Sequence, residues 1–293
     1  MKSDDGKMSP REDLVEPTES AIDLDAYLAR IGHREPVAPT AETLRTVVEA
    51  HTRTIPFENI DPLLGVPVAD LGVDALTDKL VRRRRGGFCY EHNGLMRYVL
   101  DEIGFGVRHL GGRVVWMLDD DAPLPARTHN VLAVTVPDSD DEYLVDVGFG
   151  GQTLPSPIRF VIDEEQSTRL EPYRISSFGN GLALEALIRD TWRPLYHFSP
   201  DTVPRIDREV GSWYVSTHPR SVFVVGLTAA LVAEDERWNL RGRNVSVHHR
   251  DGTSTKKRLD SAAEVVELLE DRFGIDVATL DGLEKRVNEV LDS

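Results

Sequence analysis

Near Gly106 the texture of this chain changes, and no single type of element can cover both sides of the change. Before it, apolar residues recur at helical spacing: Leu24, Tyr27, Leu28 and Ile31, with Gly32 placed to stop the helix. Thr40, followed by Glu42 and Leu44, opens a second helix that Pro56 ends. The spacing predicts a third helix over 74–83 and a fourth from about Cys89 to Ile103, closed by Gly104. After Gly106 the chain turns to short β-branched or alternating runs at 107–118, 130–136, 143–147 and 158–162, then at 174–178, 183–188 and 194–198. Gly, Pro and Asp turns separate them, among them the acidic hairpin turn 138–141. This reads as antiparallel strands in a small barrel. Beyond Asp201 the pattern predicts a helical entry, strands at 222–225 and 245–248, and a final helical stretch from Ser261 through Phe273 and beyond. The expected class is therefore α+β, with no internal repeat.

At 293 residues the chain exceeds what one hydrophobic core usually serves, so two or three lobes are expected. The divisions fall at 21–105 for the helices, 106–205 for the barrel and 206–293 for the mixed remainder. Residues 1–20 are rich in Asp, Glu, Ser and Pro, with almost no large apolar side chains, and read as a disordered acidic tail. The net charge of -16 opposes a general nucleic-acid or anionic-membrane binder, because phosphates need a cationic face. No apolar run approaches the length needed to cross a bilayer, and no apolar signal region opens the chain. One cysteine cannot form an internal disulfide, which suggests a reducing cytoplasm. A homo-oligomer is compatible with this composition.

That cysteine, Cys89, sits in Arg85-Gly86-Gly87-Phe88-Cys89-Tyr90-Glu91-His92-Asn93. A lone cysteine is most often a small core side chain. Here a basic run (Arg82 to Arg85) and a Gly-Gly pair lead into it, polar residues crowd it, and helical character follows. A position near a helix N-terminus, where backbone N–H groups lack partners, favours an anion such as a thiolate. A thiolate nucleophile needs a base, and the base needs an orienting acceptor. His92 is nearest, but three residues away on one helix it leaves no room for substrate and is assigned to helix packing or capping. His129 opens an apolar strand at what would be a sheet end, and Asp146 interrupts the apolar run 143–147 with a carboxylate that must be paired if buried. A hairpin between these strands could set Asp146 beside His129, fixing the imidazole tautomer. No Cys-x-x-Cys or paired ligand spacing points to a metal; His248 and His249 are adjacent on a strand and point apart.

The nonapeptide around Cys89 resembles the signature of arylamine N-acetyltransferases, and His129 and Asp146 match that family's other triad positions. Asp25-Ala26-Tyr27-Leu28-Ala29-Arg30-Ile31-Gly32, Ile55-Pro56-Phe57-Glu58-Asn59-Ile60 and Ser216-Thr217-His218-Pro219-Arg220-Ser221-Val222-Phe223 resemble three further motifs, so the likeness runs from about Ile22 to the C-terminus. The resemblance implies a helical bundle, a β-barrel and an α/β lid around a cysteine-protease-like catalytic core. It implies acetyl-CoA as co-substrate and an arylamine or arylhydrazine as acceptor, with acetyl transfer through an acetyl-cysteine by ping-pong kinetics. No metal or prosthetic group is implied. Phe57, Trp116, Phe149 and Phe223 would line an aromatic slot for the acceptor. Gly148, Gly150, Thr217 and His249 would meet coenzyme A. Arg30, Glu58 and Arg85 would form a buried ion network beneath the site. Cysteine suits the task, since thioester-for-thioester exchange is nearly balanced in energy. Three rival readings remain on the residues alone: an amide-forming, ring-closing synthase of the same family, a Cys-His-Asp hydrolase with water as acceptor, and a redox-sensing thiol.

Overall fold

A computed structural model describes residues 21–119 and 121–292; the acidic tail expected over 1–20 lies outside the described residues. The first helices start and stop at side-chain and glycine caps. Helix α1 (Leu24–Ile31) begins where Asp23 accepts from the Ala26 N–H, and it ends on Gly32 in a left-handed conformation. Helix α2 (Ala41–Thr54) begins at Thr40, whose side chain accepts from the Thr43 N–H. A two-residue strand, β1 (Phe57–Glu58), and a short helix, α3 (Ile60–Leu63), follow. The helix expected over 74–83 is divided. Helix α4 (Val73–Leu76) runs into a π-helical turn, Thr77–Arg82, in which the Arg83 N–H reaches back five residues to the Asp78 carbonyl at 2.9 Å. Helix α5 (Cys89–Ile103) closes on Gly104, and Glu91 reaches back to accept from the Phe88 N–H at 3.0 Å.

Seven antiparallel strands then form the second layer: β2 (Gly106–Val114), β3 (His129–Thr135), β4 (Glu142–Val145), β5 (Ile158–Arg159), β6 (Tyr173–Phe178), β7 (Gly181–Ile188) and β8 (Thr191–Thr202). Their order is β5-β4-β3-β2-β8-β7-β6. The sheet nearly closes, because the segment after β5 meets β6 through bridges at Ile162–Ile175 and Gln166–Tyr173. Closure removes the exposed edges that an open sheet would leave. The run expected to continue as a strand to 162 leaves the ladder after Arg159, and Asp163 adopts a positive φ of 59°. The barrel is filled by Leu110, Val131, Leu144, Tyr173, Leu184, Leu195 and Phe198, among others.

Helix α6 (Arg205–Thr217) leads to α7 (Val222–Val225) and to strands β9 (Thr228–Val232), β10 (Glu236–Arg241), β11 (Asn244–His249) and β12 (Ser254–Arg258). Helices α8 (Ala262–Asp271) and α9 (Leu283–Glu289) complete the described chain. The strand expected at 222–225 is a helical turn instead: Ser221 caps it by accepting from the Phe223 N–H, and the cap overrides the β-preference of the valines. The second sheet has the order β1-β9-β10-β11-β12, with Phe57 opposite Ala230 and Glu58 opposite Ala229. Its first strand therefore comes from the helical part of the chain. No described helix is long and apolar enough to cross a membrane.

One buried cation joins the second sheet to the barrel. Arg237 on β10 donates to the Thr153 carbonyl at 2.7 Å, to Glu171 at 2.5 Å and to the Tyr173 hydroxyl at 2.8 Å. Burial opposes charge on both partners. Even so, Arg237 holds the Glu171 carboxyl below its ordinary range, and Glu171 holds the Arg237 guanidinium above its own. Replacing Arg237 by Met strands a carboxylate and a carbonyl in the interior. The expected loss of stability is about 3–5 kcal/mol, read as a lowered urea midpoint.

Candidate active site

The ground beneath Cys89 is a chain of buried charges. Arg85 pairs with Glu58 and with Asp61, each at 2.8 Å; Lys79 pairs with Asp61 at 2.7 Å and with Glu91 at 2.6 Å. Glu91 then accepts from the Phe88 N–H, so the chain of charges ends on the peptide immediately before the cysteine. Glu58 also accepts from the Ile60 N–H at 2.6 Å. Burial works against the charge on Lys79, but Glu91, Glu58 and Asp61 together raise it above its usual value. The π-helical turn makes this possible by turning Lys79 into the interior while Arg82 and Arg83 stay exposed. Gly86 is required where the strand β1 segment passes: a Cβ there would stand 1.9 Å from the Pro56 carbonyl oxygen.

Arg30 does not belong to this network, which corrects the sequence expectation. Its Nε donates to the Leu80 carbonyl at 3.1 Å and its Nη1 to the Thr54 carbonyl at 3.3 Å, so it ties α1 to the chain before Arg85 through backbone rather than through carboxylates. Burial and the nearby Arg84 lower its guanidinium to about 10. Lys79, Asp61 and Glu91 carry the roles that sequence reasoning gave to Arg30. The one signal for Lys79 was its place in the predicted helix 74–83 one turn after the apolar Leu76 and next to Leu80.

Cys89 is the first residue of α5 and is 5% exposed, with its thiol 3.7 Å from the Thr128 carbonyl. Residues His129 and Asp146 project from the open end of the β3–β4 hairpin, where the register runs Leu132 opposite Val145. The His129 Nε2 lies 2.7 Å from Asp146 Oδ2, and Cys89 is close enough to the ring to favour its charged form. Nε2 is occupied by Asp146, which leaves Nδ1 as the ring nitrogen free to serve the thiol. The remaining carboxylate oxygen, Oδ1, accepts from Asn93 Nδ2 at 3.0 Å and from the Gly148 N–H at 3.1 Å. Asn93 also donates to the Asn130 carbonyl at 2.7 Å and accepts from the Val147 N–H at 3.1 Å. It thereby ties both strand ends to the helix of the nucleophile, a role that sequence reasoning missed.

Burial pulls the His129 imidazole down, but Asp146, and then Cys89, outweigh it and push the ring up to about 10. Burial raises Asp146, and His129, Asn93 and the Gly148 N–H overcome that, holding the carboxyl below its ordinary range. Both directions favour an imidazolium–carboxylate pair at neutral pH. Such a pair can stabilise a thiolate, deliver a proton and take one back.

The aromatic residues fall into two groups. Phe57 meets Phe223 edge-on with centroids 5.9 Å apart, and Phe223 leans on Phe88 at 5.4 Å. Phe149 stands edge-on to His129 at 5.4 Å, and Tyr196 tilts over the same imidazole at 4.6 Å. Trp116 packs against the barrel core with Phe149. Gly148 lies directly behind the nucleophile: a Cβ there would come within 2.7 Å of the Cys89 Cα. Gly150 packs on the Phe57 ring and donates its N–H to Thr153 Oγ1 at 2.8 Å. Thr217 ends α6 with its hydroxyl turned back onto the Trp213 carbonyl at 2.6 Å. His249 lies on β11 beside Glu236 at 3.3 Å. Among the described residues no three His, Cys, Asp or Glu side chains converge in a metal-holding group.

Comparison with known proteins gives the family of the chain. A family model described as N-acetyltransferase matches residues 40–281. The arylamine N-acetyltransferase of Mycolicibacterium smegmatis is 59% identical over 275 residues, covering 93% of this chain and 100% of the relative. That of Salmonella typhimurium, named also as an N-hydroxyarylamine O-acetyltransferase, is 36% identical and covers 87% of this chain and 89% of the relative. Among solved structures, the Mycobacterium marinum arylamine N-acetyltransferase in complex with CoA aligns with a TM-score of 0.89 at 56% identity, over 92% of this chain and 99% of that one. Helices α1 to α5, the nearly closed barrel and the second sheet thus share the cysteine-protease-like fold of these enzymes, and the chain belongs to the arylamine N-acetyltransferase family.

Proposed function

We propose that this protein moves an acetyl group from acetyl-CoA to the nitrogen of an arylamine, an arylhydrazine or a related acceptor, through an acetyl group held on Cys89. The observation that carries this reading is Cys89 at the start of α5 with the His129–Asp146 pair beside its thiol. The Cys89 thiolate attacks the thioester carbon to give a tetrahedral oxyanion. The C–S bond to coenzyme A then breaks, and His129 supplies the proton that leaves with the coenzyme A thiol. The amine attacks the new thioester on Cys89, its surplus proton passes to His129, and the Cys89 thiolate is restored. Asp146 remains ionised and holds the ring throughout.

The names of the relatives, and the M. marinum enzyme solved with CoA, support coenzyme A and aromatic amines as partners. For the acceptor, Phe57, Phe149 and Phe223 supply flat apolar walls, with Trp116 further along the barrel face. For coenzyme A the reading rests on Gly150 and His249. Gly148 packs on the nucleophile and the Thr217 hydroxyl is committed to its helix, so those two contribute through backbone. A nucleophile that must stay reduced suits the cytoplasm, and foreign aromatic amines are the acceptor class proposed.

Acetyl-CoA alone is expected to add one acetyl group to the protein, seen by intact mass, and Cys89→Ala is expected to abolish the addition. Hydrolysis of acetyl-CoA with no acetyl-protein accumulating would favour the hydrolase reading and defeat this one. For pH, a ring pushed up to about 10 keeps its proton across neutrality and releases it on the alkaline side. Acetyl-enzyme formation is therefore expected to stay level from pH 7 to 9 and fall as His129 deprotonates near about 10. Asp146→Asn removes the largest raising influence and leaves burial, which lowers the ring. The alkaline fall should then move to lower pH, with a loss of about a hundredfold or more in rate at pH 7, measured by single-turnover mass spectrometry.

A further inference from the structure

Inside the helical layer, Tyr27, His51 and His92 form a hydrogen-bonded chain that the acyl-transfer steps do not use. The Tyr27 hydroxyl lies 2.9 Å from His51 Nδ1, His51 Nε2 lies 2.8 Å from His92 Nδ1, and His92 Nε2 lies 3.0 Å from the Pro56 carbonyl oxygen. All three side chains are fully buried. The proton order is fixed from one end. A peptide carbonyl only accepts, so His92 Nε2 carries a hydrogen. With neutral rings, His92 Nδ1 must then accept, His51 Nε2 must donate, His51 Nδ1 must accept, and the Tyr27 hydroxyl must donate.

Both rings are neutral at pH 7. Burial lowers His92 to about 4, against the raising influence of the Pro56 carbonyl, Glu58 and Asp146. Burial, His92 and Arg30 hold His51 well below its ordinary value. Each polar atom of the chain therefore has one partner and one possible role.

The chain ends on the peptide that carries Phe57. Its last ring, His92, also lies parallel to the Phe57 ring, 6.4 Å away at 6°. One imidazole thus holds the Pro56 carbonyl and backs the Phe57 side chain, whose other neighbours are Phe223 and Gly150. His92 lies on α5 one turn after Cys89, but it takes no hydrogen bond from the thiol, from His129 or from Asp146.

We propose that Tyr27, His51 and His92 are positioning residues for the aromatic acceptor: their one-directional hydrogen-bond chain fixes the peptide and ring of Phe57, and so sets the preference for flat amines in the second half-reaction. The assignment rests on the acyl-transfer reading above. It separates two tasks along α5, with Cys89 serving the acyl group and His92 serving the acceptor wall.

Two measurements on the full chain test it. A long-range proton–nitrogen spectrum of histidine-labelled protein at pH 7 is expected to show His51 and His92 as neutral Nε2–H rings, assigned through the signals lost in His51→Gln and His92→Gln. A charged ring or an Nδ1–H ring at either position would overturn the proton order. In kinetics, His92→Phe keeps a ring but loses both hydrogen bonds, and KM for 4-aminobiphenyl is expected to rise about tenfold. Acetyl-enzyme formation from acetyl-CoA, and transfer to hydrazine, which is too small to need the wall, should each stay within about twofold. His92→Gln can donate to Pro56 and accept from His51, and it should recover most of the KM. Equal losses with both acceptors, an equal fall in acetyl-enzyme formation, or a Gln variant no better than Phe would overturn the proposal. Tyr27→Phe deletes a single hydroxyl at the far end and covers the case of an unfolded His92→Phe. It should give a smaller shift of the same selectivity, about threefold, and its absence would count against the chain. A wild-type protein that forms no acetyl-enzyme would instead overturn the acyl-transfer reading, and the acceptor assignment with it.

Discussion

Everything around the nucleophile depends on five charged side chains, Glu58, Arg85, Asp61, Lys79 and Glu91, paired in series in the interior. Three carboxylates and two cations taken out of water are tolerable only if each keeps its partners, so the five positions are fixed relative to one another. Glu58 belongs to the second sheet, Asp61 to α3, Lys79 to the π-helical turn, and Glu91 to the helix of the nucleophile. The series therefore joins four elements and delivers its last hydrogen bond to the Phe88 peptide. Such an arrangement is weak as a source of stability and strong as a source of definition. A displaced helix start would leave an unpaired charge, and few alternative packings avoid that.

The barrel contributes the other half of the site by a different device. His129 and Asp146 come from the same end of one hairpin, where β3 and β4 have stopped pairing and their backbone groups need other partners. Asn93 supplies them, taking the Asn130 carbonyl, the Val147 N–H and an Asp146 oxygen. One amide on α5 thus sets the distance between the thiol and the imidazole, because the thiol is on the same helix one turn earlier. Gly148 allows the approach, since any side chain there would meet the Cys89 backbone.

Much of this was legible in the sequence, and the failures have physical causes. Helices α1, α2 and α5 were marked by their caps at Gly32, Thr40 and Gly104, which act locally. The strands β2, β3, β4, β6, β7 and β8 showed through their β-branched and alternating residues. Strand β12 could not show in this way: Ser254–Arg258 is exposed throughout and rich in cations, as suits an edge strand, and so has no alternation. Ala229 and Ala230 gave little β signal to β9, which exists because it is paired on both sides. Residues 222–225 read as strand from their four apolar side chains, and form a helical turn because a cap one residue earlier outweighs them. Within the site, Cys89, His129 and Asp146 were recognisable by residue type and context, whereas Lys79 and Asn93 were not. Their importance lies in what they touch across 12 and 53 or so positions of chain, which no local pattern records.

The π-helical turn at Thr77–Arg82 bears on how this chain tolerates changes of length. A wide turn of this kind holds one residue more than an α-helical turn would, and an α-helix advances about 100° per residue. Removing a single residue there would restore an ordinary helix and swing Lys79 by that angle, out of reach of Asp61 and Glu91. A deletion in the 137–141 turn of the β3–β4 hairpin would alter only exposed connection. Two segments of similar polarity thus differ sharply in the indels they admit, and grafting or trimming this scaffold should treat 77–85 as fixed in length, with surface turns as the places to cut and join.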